Sequence, residues 1–160
     1  MKHLKRYPFF FHRKSLVASL GMMCSSLSLP VNAACLIASI NGVSFGQYDV
    51  FTSSSNTNGV GSLTVNCNGG GASTFVTSLS TGQSNTYSMR VMKSGGNSLN
   101  YNLYTSAART VVWGNGTGGS NVISTLRSNN TALSIFGEIP AEQDPGVGTY
   151  TDSITATVSF

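Results

Sequence analysis

Hydrophobic and polar residues alternate strictly along residues 148–160. Apart from an aspartate, the even positions are apolar or aromatic, while the odd positions are all Thr or Ser: Tyr150, Asp152, Ile154, Ala156, Val158 and Phe160 against Thr151, Ser153, Thr155, Thr157 and Ser159. A period of two with many β-branched residues is typical of a strand that lays one face on a core. We predict that Ile154, Ala156, Val158 and Phe160 face this core. No turn or further strand follows in the sequence, so the free edge is expected to pair with another chain.

Shorter alternating segments fill the preceding chain, and no helix-period pattern is visible. The predicted strands lie at residues 36–43, 62–67, 75–79, 87–92, 99–104, 109–113 and 133–139. Glycine combined with Asn, Ser or Pro predicts turns at 68–71, 95–97, 114–120 and 144–148. About eight short strands in one domain favour an all-β sandwich.

The N-terminal segment differs from the remaining sequence. Five basic residues lie within residues 2–14, and an uncharged, mostly apolar run covers residues 15–29. This run is too short to span a bilayer comfortably, so a signal peptide is favoured over an uncleaved anchor. The small residues that follow predict cleavage after Ala33. Residues 1–33 are therefore expected to be removed, which leaves a single domain at residues 34–160 without a membrane span.

Loss of the leader changes both the charge and the cysteine content. The predicted mature chain has four basic and five acidic residues, a net charge of −1. The basic character of the full chain thus gives no support for nucleic-acid binding. Cys35 and Cys67 remain in a chain bound for an oxidising compartment, and we expect them to form a disulfide rather than two free thiols.

The predicted mature chain offers little catalytic chemistry. Both histidines lie in the leader, which leaves none for a catalytic triad or a zinc site. Glu138, Glu142 and Asp144 lie in a loop rich in Gly and Pro, where carboxylates are expected to face solvent rather than oppose each other across a cleft. No calcium-loop pattern is present, and the glycines of 114–119 lack the lysine of a phosphate loop. We predict no enzyme activity, no cofactor and no metal.

Two single residues have competing interpretations. Trp113 is expected in the core, although its ring could instead stack on a sugar. Arg90 is expected at the surface if Met89 and Val91 face inward, because a charged residue is rarely buried without a partner.

Six short motifs are similar to those of the spore coat protein U (SCPU) family, which includes subunits of archaic chaperone-usher pili. In order along Cys35 to Phe160 they are Phe-Gly-Gln-Tyr at 45–48, Leu-Thr-Val-Asn-Cys at 63–67, Leu-Asn-Tyr-Asn-Leu-Tyr at 99–104, Trp-Gly-Asn-Gly at 113–116, Phe-Gly-Glu-Ile-Pro at 136–140 and Gly-Thr-Tyr-Thr-Asp at 148–152. Each motif is weak alone. Their order and spacing carry the resemblance.

The resemblance implies an immunoglobulin-like β-sandwich that lacks its final strand. In such families a periplasmic chaperone lends the missing strand, and the N-terminal extension of a neighbouring pilus subunit later replaces it. An outer-membrane usher is the third implied partner. The implied product is a secreted structural subunit of a surface fimbrium involved in cell adhesion and biofilm formation. Only Ala34 would precede Cys35 after cleavage, so this subunit is expected to accept a strand but to donate none, as at the tip of a fibre.

Two other functions stay open at this stage. One is a self-contained spore-coat or extracellular matrix protein that closes its fold with its own strands or as a homodimer. The other is a carbohydrate-binding module that uses Trp113, Tyr101 or Tyr104.

Overall fold

The computed structural model describes residues 34–68 and 74–160. The predicted signal peptide at 1–33 and most of the predicted turn at 68–71 lie outside the described residues. The described part forms eight strands, β1 (Ala34–Ser44), β2 (Val60–Asn68), β3 (Thr74–Leu79), β4 (Arg90–Ser94), β5 (Asn97–Tyr104), β6 (Ile123–Leu126), β7 (Thr131–Glu138) and β8 (Ala156–Ser159), with one 3-10 turn at Gly82–Ser84.

The strands form two antiparallel sheets. The larger sheet has the order β1-β2-β7-β5-β4, and the smaller sheet has the order β6-β3-β8. The predicted all-β sandwich is confirmed.

Two local predictions were wrong. Residues 109–113 do not form a strand, because the chain turns at Arg109, whose φ is +53°, and then makes only single bridges from Val112 and Trp113. Strand β6 was missed, since four residues carry too short an alternation to be recognised.

The core lies between the sheets and is built from the alternate residues of their strands. Leu63, Val65 and Cys67 of β2 are buried, whereas the residues between them are only half-buried. Trp113 is fully buried, and its indole nitrogen donates a hydrogen bond to the carbonyl oxygen of Thr77. The expectation that Trp113 belongs to the core is confirmed.

The predicted disulfide between Cys35 and Cys67 is present and joins β1 to β2. The two residues are direct cross-strand partners in the ladder, and both are buried. The bridge therefore fixes one end of β1 to the sheet.

The C-terminal segment crosses from one sheet to the other. Thr151 exchanges two backbone hydrogen bonds with Lys93 of β4, at 2.9 and 3.0 Å. Thr155 then pairs with Ser80, and β8 continues along β3. This crossing explains why β8 is shorter than the strand predicted from the alternation at 148–160.

Candidate functional site

An opening separates the edges of the two sheets. Within the described part of the chain, β1 pairs only with β2 and β8 pairs only with β3. A cavity of about 470 Å³ has residues of both edges in its wall, among them Ile40 of β1 and Ala156 of β8. We call this opening the edge groove.

The floor of the edge groove is the hydrophobic core itself. It is formed by four residues from four strands of both sheets: Leu63, Leu79, Leu103 and Ile135. All four are buried. In contrast, Ile40 in the wall is 53% exposed. The edge groove is therefore lined mainly by apolar side chains.

A second cavity, of about 730 Å³, continues the edge groove toward one end of the sandwich. The two cavities share Val43, Phe45, Met92 and Tyr150 in their linings. The outer wall of the second cavity includes residues 145–149. The opening thus reaches from β8 to the loop at residues 145–149.

A glutamine side chain holds the loop that leads to this outer wall. The Gln143 amide accepts a hydrogen bond from the Asn100 backbone nitrogen at 2.8 Å and donates one to the Asn100 carbonyl oxygen at 3.0 Å. It thereby pairs with β5 in the manner of a strand residue. The backbone nitrogen of Gln143 also donates to the hydroxyl of Tyr48, which ties the loop to the segment after β1.

The residues predicted for the C-terminal strand keep their alternation. Ile154, Ala156 and Val158 are half-buried and pack against the core, whereas Thr155, Thr157 and Ser159 are exposed. Ile154 and Ala156 line the edge groove. Phe160 follows the end of β8 and is 56% exposed, so it does not share this packing.

Asp152 introduces a charge into the wall of the edge groove. Its Oδ2 accepts a hydrogen bond from the hydroxyl of Tyr101 at 2.7 Å, and its Oδ1 accepts others from the backbone nitrogens of Gln83 and Ser153. Burial raises the pKa of Tyr101, and the hydrogen bond to Asp152 raises that pKa further. The Tyr101 hydroxyl therefore stays a donor at neutral pH.

A family model described as Spore Coat Protein U domain matches residues 22–157. The chain belongs to the Spore Coat Protein U domain family. The resemblance seen in the motifs is confirmed, and the matched range begins inside the predicted leader. The cleavage site stays a prediction.

A solved structure has a fold similar to this Spore Coat Protein U domain. It is the CsuC-CsuE chaperone-tip adhesion subunit pre-assembly complex from the archaic chaperone-usher Csu pili of Acinetobacter baumannii, matched with a TM-score of 0.52 and 21% sequence identity. The match covers 81% of the present chain and 40% of the matched chain. At this identity the likeness shows the fold. A comparison with curated proteins gives no significant match.

The expectation for Arg90 of the Spore Coat Protein U domain was wrong, because this residue is fully buried. Its guanidinium donates to the carbonyl oxygens of Ser80 and Trp113 and to the amide oxygen of Asn102, at 2.7 to 3.0 Å. The ring of Tyr87 lies 5.3 Å from the guanidinium carbon. Burial lowers the pKa of Arg90, and the carbonyl oxygens supply the hydrogen bonds that water would otherwise make.

The three carboxylates considered as catalytic candidates lie at or near the surface. Glu142 and Asp144 are exposed and Glu138 is half-buried. No cluster of three or more His, Cys, Asp or Glu suited to a metal occurs among residues 34–68 and 74–160. Within the same residues, no helix is long and apolar enough to cross a membrane.

The aromatic residues considered for sugar binding are mostly hidden. Trp113 and Tyr101 are buried in the core, and Tyr104 is half-buried. The two buried rings therefore present no open face on which a sugar could stack.

The sequence pattern predicted the wall of the edge groove that the C-terminal segment forms, but not the wall that β1 forms. The alternation at 148–160 showed the apolar side of the C-terminal segment, but no local signal marked Ile40 as a residue of the opposite edge. Asp152 was visible as the single break in the apolar face. Its hydrogen bonds to Tyr101 and Gln83 depend on contacts between distant segments.

Proposed function

We propose that this protein is a secreted structural subunit of a surface pilus, assembled by a chaperone and an usher, and that a strand from another chain fills its edge groove. The open groove between β1 and β8 carries this proposal, because neither strand has a ladder partner on its outer edge within the described residues and apolar side chains line the gap. Membership of the Spore Coat Protein U domain family and the similarity to a chaperone-subunit complex support it.

The lining of the edge groove indicates that it needs an occupant. Its apolar residues, among them Ile40, Val43 and Ile154, would lose contact with water when a strand covers them. Each Å² of apolar surface buried contributes about 25 cal/mol. A bound strand is therefore expected to stabilise the domain.

An extended strand is the occupant that matches both edges. The free backbone groups of β1 and β8 can form ladders on either side of it, and its alternate side chains can cover the apolar floor. A small molecule could fill part of the volume but could not satisfy the backbone groups along two strands. The groove therefore favours strand addition over ligand binding.

The proposed assembly route has two successive strand donors. A periplasmic chaperone supplies the strand during transit, and a neighbouring subunit replaces it once the usher has brought the two together at the outer membrane. The mature protein then lies at the cell surface and has a structural role rather than an enzymatic one. That this subunit donates no strand rests on cleavage after Ala33, and N-terminal sequencing of the secreted protein tests it.

Expression in the periplasm, with and without a chaperone of the same usher system, tests the proposal. Alone, the protein is expected to aggregate or be degraded, and with the chaperone it should form a one-to-one complex. Ala156→Lys places a charged side chain in the edge groove and should abolish the complex with the chaperone. Ser159 lies on the exposed face of β8, so Ser159→Lys should leave that complex intact.

Sizing of the protein expressed alone separates the proposal from the self-contained coat or matrix protein. A soluble, cooperatively unfolding monomer or homodimer obtained without a chaperone would overturn the proposal. That result would instead favour a fold that closes with its own strands.

A further inference from the structure

One charged side chain lines the cavity of about 470 Å³ in the edge groove, and another, Asp49, lines the second cavity. Asp152 is the only Asp, Glu, Lys or Arg among the described residues that line the cavity of about 470 Å³. It is half-buried before any strand is bound. A strand that fills the groove would remove more of the water around its carboxylate.

Asp152 is held firmly in place. Its two oxygens accept four hydrogen bonds, two of them from the backbone nitrogen and side-chain amide of Gln83 at 3.0 and 3.2 Å. Gly82 lies against the carboxylate with a φ of +64°, and a side chain at that position would overlap the Asp152 oxygens. The carboxylate therefore cannot turn away from an incoming strand without losing this network.

The hydrogen bonds to Asp152 come from neutral groups. None of the four donors is a lysine or arginine in the part of the chain that the structure describes. Arg90 is the cross-strand partner of Tyr101, but its guanidinium donates to Ser80, Trp113 and Asn102 instead. Arg90 thus attracts the carboxylate through space but does not donate a hydrogen bond to it.

A groove of aliphatic side chains specifies the register of a strand only weakly. A shift by two residues keeps the same face of the strand toward the core, so the apolar contacts are nearly equivalent. A single polar group in an apolar seam removes this freedom, because misaligned partners leave it buried without its complement. Asp152 is such a group.

We propose that Asp152 sets the register of the inserted strand by favouring a lysine or arginine at the one inward position that lies opposite its carboxylate. This inference rests on the proposed function, since it requires a strand in the edge groove. It assigns a chemistry to that strand: apolar inward residues with one basic residue among them.

A panel of synthetic strands tests the register. The mature chain is refolded with peptides of roughly ten residues that carry Val at inward and Thr at outward positions. Each inward Val is replaced in turn by Lys or by Met, which have similar length and differ in charge. At a single position the Lys peptide should bind at least tenfold tighter than the Met peptide, and at the other inward positions Met should bind tighter.

Variants of the protein link the preference to Asp152. Asp152→Asn keeps the shape of the side chain and removes its charge, so the tenfold preference for Lys should disappear. Asp144→Asn removes an exposed charge that does not line the edge groove and should leave the profile unchanged. If Asp152→Asn does not refold, the comparison of Lys and Met peptides on the wild-type chain still tests the inference.

Three results would overturn the inference, and they differ in what they say of the proposed function. Binding of the peptides with Met favoured at every inward position refutes the role of Asp152 and leaves strand addition intact. A preference for Lys that persists unchanged in Asp152→Asn likewise refutes the role of Asp152 and leaves strand addition intact. Failure of every peptide to stabilise the wild-type chain refutes the proposed function together with the inference.

Discussion

The ring of Phe45 packs directly on the backbone of Gly137. A Cβ atom added to Gly137 would lie 2.5 Å from Cζ and 2.6 Å from Cε1 of Phe45. Phe45 also meets Tyr101 edge-on, with ring centroids 5.8 Å apart, and it lines both cavities. The lack of a side chain at Gly137 therefore allows Phe45 to sit where the two cavities meet.

Substitution of Gly137 by alanine should destabilise the protein by displacing this ring. Overpacking of a filled site costs about 1 to 3 kcal/mol, and the added methyl also approaches Val43 at 2.9 Å. The measurement is the urea midpoint of the chaperone-bound protein. Gly96→Ala is the matched control, because a Cβ there meets no atom within 4 Å. Equal midpoints for the two variants would contradict this account of Phe45.

Arg90→Met should lower the free energy of unfolding by about 3 kcal/mol or more. The change keeps much of the apolar chain but leaves the buried carbonyl oxygens of Ser80 and Trp113 without their donor, and each unsatisfied buried group costs about 1 to 3 kcal/mol. Lys93→Met on the exposed side of β4 should stay within about 0.5 kcal/mol. Similar denaturation midpoints for the two variants would show that the Arg90 network contributes little.

The local alternation of residues predicted much of the fold. It placed β2, β5 and β7 and the buried face of each, because a half-buried strand repeats every two residues whatever its partners are. It also placed Ile154, Ala156, Val158 and Phe160 on one face, of which the first three pack against the core and Phe160 is 56% exposed. These features depend on neighbouring residues in the sequence.

The features that the alternation could not provide depend on distant segments. Arg90 is buried because the carbonyl groups of residues 80 and 113 accept its hydrogen bonds. The sequence near position 90 contains no signal that predicts these distant acceptors. In the same way, the edge groove exists because β1 pairs with β2 and β8 with β3, and no ladder joins β1 to β8 within residues 34–68 and 74–160. Sequence periodicity predicts strands but not which of their edges remain open.

Alkaline pH should destabilise the protein through Tyr101. Burial raises the pKa of Tyr101 above its ordinary value of 10.0, so the folded state retains this proton when the unfolded chain releases it. The contribution of Tyr101 to the free energy of unfolding is fully present below pH 10, and it is lost progressively as the pH rises above 10. Urea midpoints of the chaperone-bound protein, taken at pH values from about 8 to 11, measure the effect.

Tyr101→Phe is the control for this pH dependence. It should lower stability at neutral pH, because Asp152 loses a hydrogen bond at 2.7 Å, and it should flatten the fall above pH 10. Burial also raises the pKa of Tyr104, so some loss of stability above pH 10 should remain in Tyr101→Phe. An unchanged slope in Tyr101→Phe would assign the alkaline loss to other groups.

The two faces of β8 should differ sharply in their tolerance of charge. Val158 packs against the core and pairs with the buried Thr77, so Val158→Asp places an unpaired carboxylate in apolar surroundings and should cost more than about 3 kcal/mol. Thr157 is exposed, and Thr157→Asp should cost about 1 kcal/mol or less. The yield and urea midpoint of the chaperone-bound protein compare the two variants. Equal losses would mean that the hydroxyl face of β8 is covered as well, which would require a partner on that side rather than in the edge groove alone.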